Sequence, residues 1–401
     1  MSKHTIAWLS GDPMSRHLLD LAHGVLEKLK PDIDIVTGDI GWIPWSRDGN
    51  PVPDRTLELI KHSECAMVAA TPFPPTPVLS DEVQAADPVA SDHPEYQDPW
   101  MILARRLYLH TEMRPCRAFP GNPLNRLDGL DLVVFRSLLE GAGSGAGFCP
   151  VTFEAMELIS SHPRLQFLTL FPPEEIAMNC RIVTRQGFEH VVRRAFEFAA
   201  RNKRKGITVV DVPDVFPETA EMVIRTSREI AVDFPALQYR EESLWSVIDN
   251  LISIRAWGTM PMGSHELDAT DLSRASTEYD VIVTENLCGE FLCRVAYTHA
   301  GGAGFASRVA LNDQTAIVGP MLNAGTMQLP RSHINPFGTL IATRMLLEFL
   351  GDVRTASVLG KAIEQVILDG KIITPDIGGI SSNAEVCRAV ADKASAYLDL
   401  V

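Results

Sequence analysis

The feature that most constrains the fold is an alternation of apolar runs and helical periodicity in the first 71 residues. Residues 4–12, "HTIAWLSGD", and 32–40, "DIDIVTGDI", each contain a short apolar run bounded by polar residues, which is typical of a buried strand. Residues 14–30 and 53–64 carry apolar side chains at helical spacing, and "CAMVAAT" at 65–71 is a third strand. This strand–helix–strand–helix–strand order predicts an open α/β sheet with a parallel portion.

The rest of the chain continues with helix and strand patterns, interrupted by two segments without clear periodicity. "WMILARRLYLHTEMRP" at 100–115 predicts an amphipathic helix that Pro115 closes. A Pro- and Asp-rich loop is predicted over 72–99 and an inserted loop over 253–277, and either is a candidate to cover a cleft. The further predicted elements are strands at 130–137 and 205–212 and helices at 188–205, 335–351 and 355–371.

One stretch near the middle of the chain combines a strand, a helix and several polar groups. Residues 279–294 read "YDVIVTENLCGEFLCR", which predicts a buried strand leading into a helix, with Glu285 and Asn286 at the junction. The helix places Glu290 and Arg294 four residues apart on one face. Two interpretations stay open: a site for a polar ligand, or a local ion pair that binds nothing.

Composition excludes several classes of partner. The net charge is −15, and no basic stripe offsets it, which argues against nucleic acid and anionic membranes. Seven cysteines without a CxxC pair indicate a reducing compartment without structural disulfides. The N-terminal residues lack the apolar core of a signal peptide, and no uninterrupted apolar run reaches the roughly 18 residues of a membrane span. The sequence therefore predicts a cytoplasmic protein that binds neither nucleic acid nor membrane.

Seven blocks of the sequence occur in one characteristic order over nearly the whole chain. They are "GD" at 11–12, "GNPVPDRTLELIKHSECAMVAA" at 49–70, "LYLHTEMRP" at 107–115, "RRAFEFAARNKRKGITVVD" at 193–211, "YDVIVTENLCGE" at 279–290, "INPFGTLIATRMLLEFLG" at 334–351 and "TPDIGG" at 374–379. In these blocks the chain resembles the β-decarboxylating dehydrogenases, the family of the isopropylmalate, isocitrate and tartrate/malate dehydrogenases.

The resemblance implies an isopropylmalate-dehydrogenase-like α/β fold of two domains, with a central mixed sheet and an interdomain cleft. Residues 1–109 together with 301–401 are expected to form the large domain, which is the cofactor-type domain of the family. Residues 110–300 are expected to form the middle domain for substrate binding and dimerisation, with the insertion near 253–277. The resemblance also implies a homodimer.

The family binds a 2-hydroxy dicarboxylate through arginines and uses a tyrosine and a lysine as acid–base partners. Of its three substrate arginines, the second and third match Arg114 and Arg136, whereas the first falls on Ala104. The tyrosine falls near Gly143, inside the glycine-rich "EGAGSGAG" at 140–147, for which the sequence predicts a flexible loop. The lysine falls on Val212, and the asparagine two positions later falls on Asp214.

The family's metal and cofactor residues are also replaced. The two metal-binding aspartates of one helix fall on Glu290 and Arg294. A third, which is usually supplied across the dimer, falls near Trp245, with Glu241 or Glu242 as substitutes if the register shifts. In the NAD(P)-binding loop, the histidine falls on Leu322 and the aspartate on Met327. An arginine beside the ion and a valine at the acid–base position are incompatible with the family's chemistry.

These replacements favour a repurposed protein that acts on or binds a small anionic carboxylate metabolite without NAD and without metal. Two alternatives remain: a non-catalytic partner subunit, and an NAD(P)-dependent dehydrogenase that needs Mg or Mn and has displaced catalytic groups. The candidate residues divide by role. They are Arg114, Arg136 and Arg294 for substrate binding, Glu290, Asp211 and Asp214 for catalysis, and Glu290 again as a weak metal candidate.

Overall fold

The computed structural model of the protein describes residues 3–11, 13–71, 96–145, 147–256, 279–321 and 330–400. Most of the two loops predicted over 72–99 and 253–277 therefore lies outside the described residues. The same holds for Leu322 and Met327, on which the cofactor loop of the resembling family would fall.

Twelve α-helices and twelve strands are formed within the described residues. The strands are β1 His4–Ser10, β2 Ile33–Asp39, β3 Cys65–Val68, β4 Thr111–Arg117, β5 Asp131–Ser137, β6 Gly147–Phe148, β7 Met178–Asn179, β8 Gly206–Asp211, β9 Gln238–Ser243, β10 Val281–Thr284, β11 Ser307–Leu311 and β12 Ala316–Pro320. The helices are α1 Pro13–Leu29, α2 Trp42–Asp48, α3 Asp54–Lys61, α4 Pro99–Arg106, α5 Phe153–Ser161, α6 Arg185–Arg201, α7 Pro217–Ala231, α8 Leu244–Ala256, α9 Asn286–His299, α10 Phe337–Phe349, α11 Val353–Asp369 and α12 Asn383–Leu398.

Ten of the strands form one sheet in the order β2-β1-β3-β12-β11-β4-β5-β10-β8-β9. The pairs at the two ends of the sheet are parallel, as the alternation of strands and helices predicts. The pairs β12–β11, β11–β4 and β4–β5 in the middle are antiparallel. The predicted α/β fold with a central mixed sheet is therefore confirmed.

Helices cover both faces of this sheet. In β1, Ile6 packs in a core with α1, α10 and α11, whereas Leu9 packs with α3 and α4 on the opposite face. The middle strands repeat the arrangement, since Val283 of β10 packs against α6 and its neighbour Ile282 against α8 and α9. Separate cores at the chain ends and in the middle are compatible with the predicted division at 1–109 plus 301–401 and 110–300, which stays a prediction. No helix in the described part of the chain is long and apolar enough to span a bilayer.

The helix predicted over 100–115 is wrong in its second half. Helix α4 ends at Arg106, the chain turns at Tyr108 with a positive φ of 54°, and the following residues form β4. Pro115 predicts a helix end because proline lacks the N–H that continues a helix. It is accommodated in β4 because β11 pairs with β4 only at Thr111, Glu112 and Met113, so Pro115 has a partner strand, β5, on one side alone.

Candidate functional site

A buried carboxylate lies where the antiparallel strands meet. Glu112 is in β4, two residues before Arg114, so strand alternation places both side chains on one face. Glu112 Oε2 accepts hydrogen bonds from Arg114 Nε at 2.8 Å and from Arg136 Nε at 2.5 Å. Its Oε1 accepts one from Trp100 Nε1 at 3.0 Å, and Arg308 Nη1 lies 3.7 Å away. Glu112 and the three arginines are called the Glu112 cluster below.

The charges of this cluster depend on one another. Glu112 is 0% exposed, and burial by itself raises the pKa of its carboxyl because the charged form is poorly solvated. The guanidinium groups of Arg114, Arg136 and Arg308 outweigh burial and lower the pKa of Glu112 to about 2. Glu112 is therefore ionised at neutral pH, and its negative charge compensates the arginines buried beside it.

Glu290 connects the Glu112 cluster to solvent. Its Oε2 accepts a hydrogen bond from Arg114 Nη1 at 2.6 Å and lies 3.6 Å from Arg136 Nη1. Its Oε1 accepts one from Arg294 Nε at 3.0 Å, so the predicted i, i+4 ion pair is formed. Burial by itself raises the pKa of the Glu290 carboxyl. The guanidinium groups of Arg114, Arg136 and Arg294 lower it by more, so the net shift of the pKa is downward. The Arg294 side chain is 70% exposed, which leaves its guanidinium accessible to a ligand.

Residues 141–143 of the glycine-rich segment pack against the start of α9. The Ala142 N–H donates to Glu285 Oε2 at 3.1 Å, while the other oxygen of Glu285 accepts from the N–H of Cys288 and caps the helix. A Cβ added at Gly143 would lie 2.1 Å from Asn286 Oδ1. Gly143, near which the resemblance places an acid–base tyrosine, therefore accepts a side chain only if Asn286 is displaced.

Asp211 belongs to a second buried group. Arg181 Nη2 donates to both oxygens of Asp211, at 2.6 and 2.7 Å, and its guanidinium lies 4.8 Å from the ring centre of Phe216. Burial raises the pKa of Asp211, and Arg181 only partly offsets this effect. Val212, the residue at the lysine position of the resembling family, is buried and apolar.

The structure thus brings together four of the six predicted site residues. Arg114, Arg136, Glu290 and Arg294 lie in one connected set of ion pairs. Asp211 is held instead by Arg181 in the second group. Asp214 lies on an exposed turn and accepts a hydrogen bond from Trp245 Nε1 at 3.2 Å, outside both buried groups.

The site does not fit a hard divalent cation at Glu290. Such an ion needs several oxygen ligands with free lone pairs. Both oxygens of Glu290 already accept hydrogen bonds from guanidinium groups, one from Arg114 and one from Arg294. A cation at this carboxylate would lie beside two fixed positive charges, which oppose its binding.

Sequence reasoning missed three charged residues that hold the site together: Glu112, Arg308 and Arg181. Glu112 stands two positions before Arg114, and this i, i+2 spacing on a strand would have paired them if 111–117 had been assigned as β4. Arg308 and Arg181 come from distant segments, and their neighbours in the sequence carry no motif. Only the folded arrangement identifies them.

The family comparison agrees with the fold and with the resemblance. A family model described as "Isocitrate/isopropylmalate dehydrogenase" matches residues 5–257 and 266–393. The chain is 25% identical over 389 residues to Protein DlpA of Legionella pneumophila, an alignment that covers 96% of this chain but only 58% of DlpA. It is 24% identical over 389 residues to the isocitrate/homoisocitrate dehydrogenase of Thermus thermophilus, covering 97% of this chain and 98% of that protein.

Among solved structures, the isocitrate dehydrogenase from Methylococcus capsulatus superposes with a TM-score of 0.77. The superposition covers 98% of this chain and 99% of that one, at 21% identity. This likeness confirms the isopropylmalate-dehydrogenase-like fold and carries no information about substrate.

We expect Glu112→Gln to destabilise the protein by about 3–5 kcal/mol, because it leaves buried arginines without their compensating charge. Urea denaturation followed by circular dichroism measures the change in the free energy of unfolding. The matched control is Glu58→Gln, which removes an exposed carboxylate paired with Lys61 and should leave the denaturation midpoint unchanged. Equal stability of Glu112→Gln and the wild type would show that the cluster is not a structural requirement.

The same cluster predicts a direction for acid unfolding. The folded-state pKa of Glu112 is lower than its unfolded value, so its stabilisation is fully present above the unfolded pKa of about 4.3. It is lost as the pH falls from there towards 2. Comparing Glu112→Gln with the wild type should therefore show a stability gap that is large at pH 7 and shrinks below pH 4.

Proposed function

The chain belongs to the isocitrate/isopropylmalate dehydrogenase family, and from this premise we propose that it binds a small carboxylate metabolite beside the Glu112 cluster, without nicotinamide and without a metal ion. The observation that carries the proposal is the charge balance of the site. Four guanidinium groups, those of Arg114, Arg136, Arg294 and Arg308, face two carboxylates, those of Glu112 and Glu290. Asp98 adds a third negative charge near Arg308, which leaves an excess of one positive charge. Such an excess attracts an anion.

Arg294 is the proposed point of contact for this anion. Its side chain is 70% exposed, whereas that of Arg114 is 2% exposed and that of Arg136 is 7% exposed. The forks of the two buried arginines are already engaged by Glu112, Glu290 and the carbonyl of Asn286. A ligand carboxylate therefore binds Arg294 first, and it reaches Arg114 only if Glu290 moves away.

If the protein is an enzyme, its reaction is proposed to be non-oxidative chemistry on a carboxylic acid. Among the three catalytic candidates, Glu290 alone contacts the proposed anion site. Its lowered pKa keeps it ionised at neutral pH, which excludes it as a proton donor and makes it only a weak proton acceptor. Asp211 is engaged with Arg181, and Asp214 is on a separate exposed turn.

A second candidate function is a non-catalytic binding subunit. Two observations favour it: Val212 is buried and apolar at the lysine position, and Gly143, near which the tyrosine falls, accepts a side chain only if Asn286 is displaced. Neither residue transfers a proton, so a site with this arrangement binds a carboxylate without turning it over in the manner of the family. An NAD(P)-dependent dehydrogenase is the remaining alternative, and the occupied oxygens of Glu290 argue against its metal ion.

Calorimetric titration with a panel of 2-hydroxy and 2-oxo dicarboxylates tests the proposal. We expect binding that weakens with added salt and that becomes about tenfold weaker in Arg294→Ala. A tenfold loss of affinity corresponds to about 1.4 kcal/mol of binding free energy. This value is near the low end of the roughly 1.5–3 kcal/mol that a hydrogen bond to a charged group contributes, because Arg294 is largely exposed. Arg225→Ala removes an exposed arginine of α7 and is the matched control, for which no change is expected.

Parallel titrations with NAD(H), NADP(H) and Mg²⁺ separate the alternatives. Metal-dependent turnover of a 2-hydroxy acid with a nicotinamide would overturn the proposal in favour of a dehydrogenase. If a carboxylate binds and NMR of the mixture shows no product, the result supports the non-catalytic binding subunit. Binding that ignores Arg294→Ala, or no binding at all, would remove the support for an anion site here.

We further propose a homodimer formed through α8 and α9. Trp245 and Ile252 lie seven residues apart on α8, and Leu287 and Phe291 lie four apart on α9, so each pair shares a helix face. The four side chains are between 42% and 53% exposed. Two adjacent packed helices with large exposed apolar side chains are typical of an interface. Arg294 lies one turn beyond Phe291 on the same face of α9, so the proposed anion site borders this interface. A cytoplasmic location also remains part of the proposal, supported by seven cysteines that are all free thiols.

Light scattering coupled to size-exclusion chromatography tests this interface. We expect the wild type to elute as a dimer and Phe291→Glu to shift towards the monomer, because a charge on this face opposes burial. Val232→Glu introduces the same charge at an exposed apolar residue after α7 and should leave the dimer intact. A monomeric wild type, or a dimer unaffected by Phe291→Glu, would disprove the assignment.

A further inference from the structure

Three side chains with metal-binding groups converge at a place distant in sequence from the Glu290 site. His110 immediately precedes β4, His190 lies in α6, and Asp313 lies in the turn between β11 and β12. One nitrogen or oxygen ligand atom from each lies within 4.8 Å of those of the other two. The two imidazole rings stack, with ring centres 4.3 Å apart and planes 21° apart.

His110 is prepared for coordination by its surroundings. Its side chain is buried, and its Nδ1 lies 2.7 Å from Thr111 Oγ1, which leaves Nε2 as the ring nitrogen for a metal. Metal-binding histidines commonly use their second ring nitrogen in such a hydrogen bond, because it fixes the tautomer and the ring orientation. Burial, together with the neighbouring His190, lowers the pKa of His110 to about 4, so its ring is neutral and carries a lone pair at neutral pH.

Asp313 supplies the oxygen ligand. It can leave its partner Arg194 because Glu197 also pairs with that arginine. Arg194 Nη2 lies 2.5 Å from Asp313, while its Nη1 lies 3.2 Å from Glu197 on the same helix. If Asp313 turns towards the histidines, Arg194 keeps an anionic partner in Glu197. The Asp313 side chain is 67% exposed in a short turn, so this rotation meets little packing resistance.

We propose that His110, His190 and Asp313 form a binding site for a divalent transition metal of the zinc class, with water completing the coordination. Two imidazoles and one carboxylate with an open position are a ligand set that zinc accepts. Its bond lengths place the donors of a tetrahedral site about 3.3 Å apart, so separations of up to 4.8 Å have to contract by at most about 1.5 Å. That movement requires Asp313 to leave Arg194 and His190 to change its stacking against His110. An adjoining surface depression of about 360 Å³, lined by His190, Asp313 and Glu189 and also by Arg193 and Arg194, gives water access to the site.

The site differs in chemistry from the metal site of the dehydrogenases that the chain resembles. Imidazole ligands favour zinc, copper or nickel, whereas magnesium prefers oxygen ligands. The bound metal joins α6 to the turn between β11 and β12, and these segments belong to the two domains predicted at 110–300 and at 1–109 plus 301–401. Metal binding is therefore expected to stabilise the folded chain by linkage, because the unfolded chain does not hold the three ligands together.

Titration with Co²⁺ tests this site, with the full chain prepared without a histidine tag and treated with a chelator. We expect one Co²⁺ per chain, visible absorption bands of a low-coordinate Co²⁺ site, and loss of these bands when Zn²⁺ is added. His190→Gln and Asp313→Asn each remove a metal ligand and should weaken Co²⁺ binding by more than about 100-fold. Loss of a residue that only hydrogen-bonds a ligand typically weakens metal binding by roughly 10–100-fold. His62→Gln removes an exposed histidine elsewhere and should leave the titration unchanged.

Thermal unfolding gives a second measurement that separates loss of the site from loss of the fold. Without metal, Asp313→Asn should unfold at the wild-type temperature, because the side chain is exposed. With Zn²⁺ present, the wild type should gain thermal stability and the variant should not. Absence of visible bands, or equal affinity in the wild type and both variants, would overturn the proposal. The carboxylate site at Arg294 uses other residues, so its titrations are independent of this result.

Discussion

The ion pairs of the Glu112 carboxylate are the interaction on which the antiparallel middle of the sheet depends. The carboxylate holds Arg114 of the same strand, Arg136 of β5 and Arg308 of β11. These are the strands that join the two parallel ends of the sheet. Removing such charges from water costs several kcal/mol per ion, and only close pairing with further hydrogen bonds offsets that cost. The Trp100 indole N–H donates one of those hydrogen bonds, so α4 also contacts the Glu112 carboxylate.

The Glu112 cluster neutralises its buried arginines with side chains of the same chain. Glu112 and Glu290 are the counter-ions of Arg114 and Arg136, and Arg294 pairs with Glu290 from the surface of α9. The two buried arginines therefore have partners that do not depend on a ligand. The proposed anion would meet only the accessible guanidinium of Arg294.

The elements with strong local patterns were predictable from sequence. The alternation that begins with β1 and α1 and the junction from β10 into α9 follow from periodicity, and Arg114, Arg136, Glu290 and Arg294 assemble as the resemblance implies. Strand β4 was not predictable in this way, because Pro115 is tolerated only where β11 stops pairing. The roles of Glu112, Arg181 and Arg308 depend on which segments meet in three dimensions. The same limitation applies to His110, His190 and Asp313, which come from three separate elements.

The close approach of Gly143 to Asn286 couples substitutions at these two positions. A side chain at position 143 would begin 2.1 Å from the amide oxygen of Asn286, and that amide also donates to the carbonyls of Ser137 and Leu138. Asn286 would have to move, at the cost of those two hydrogen bonds, before a larger residue fits beside it. A substitution at position 143 therefore disturbs a second position that has its own structural role.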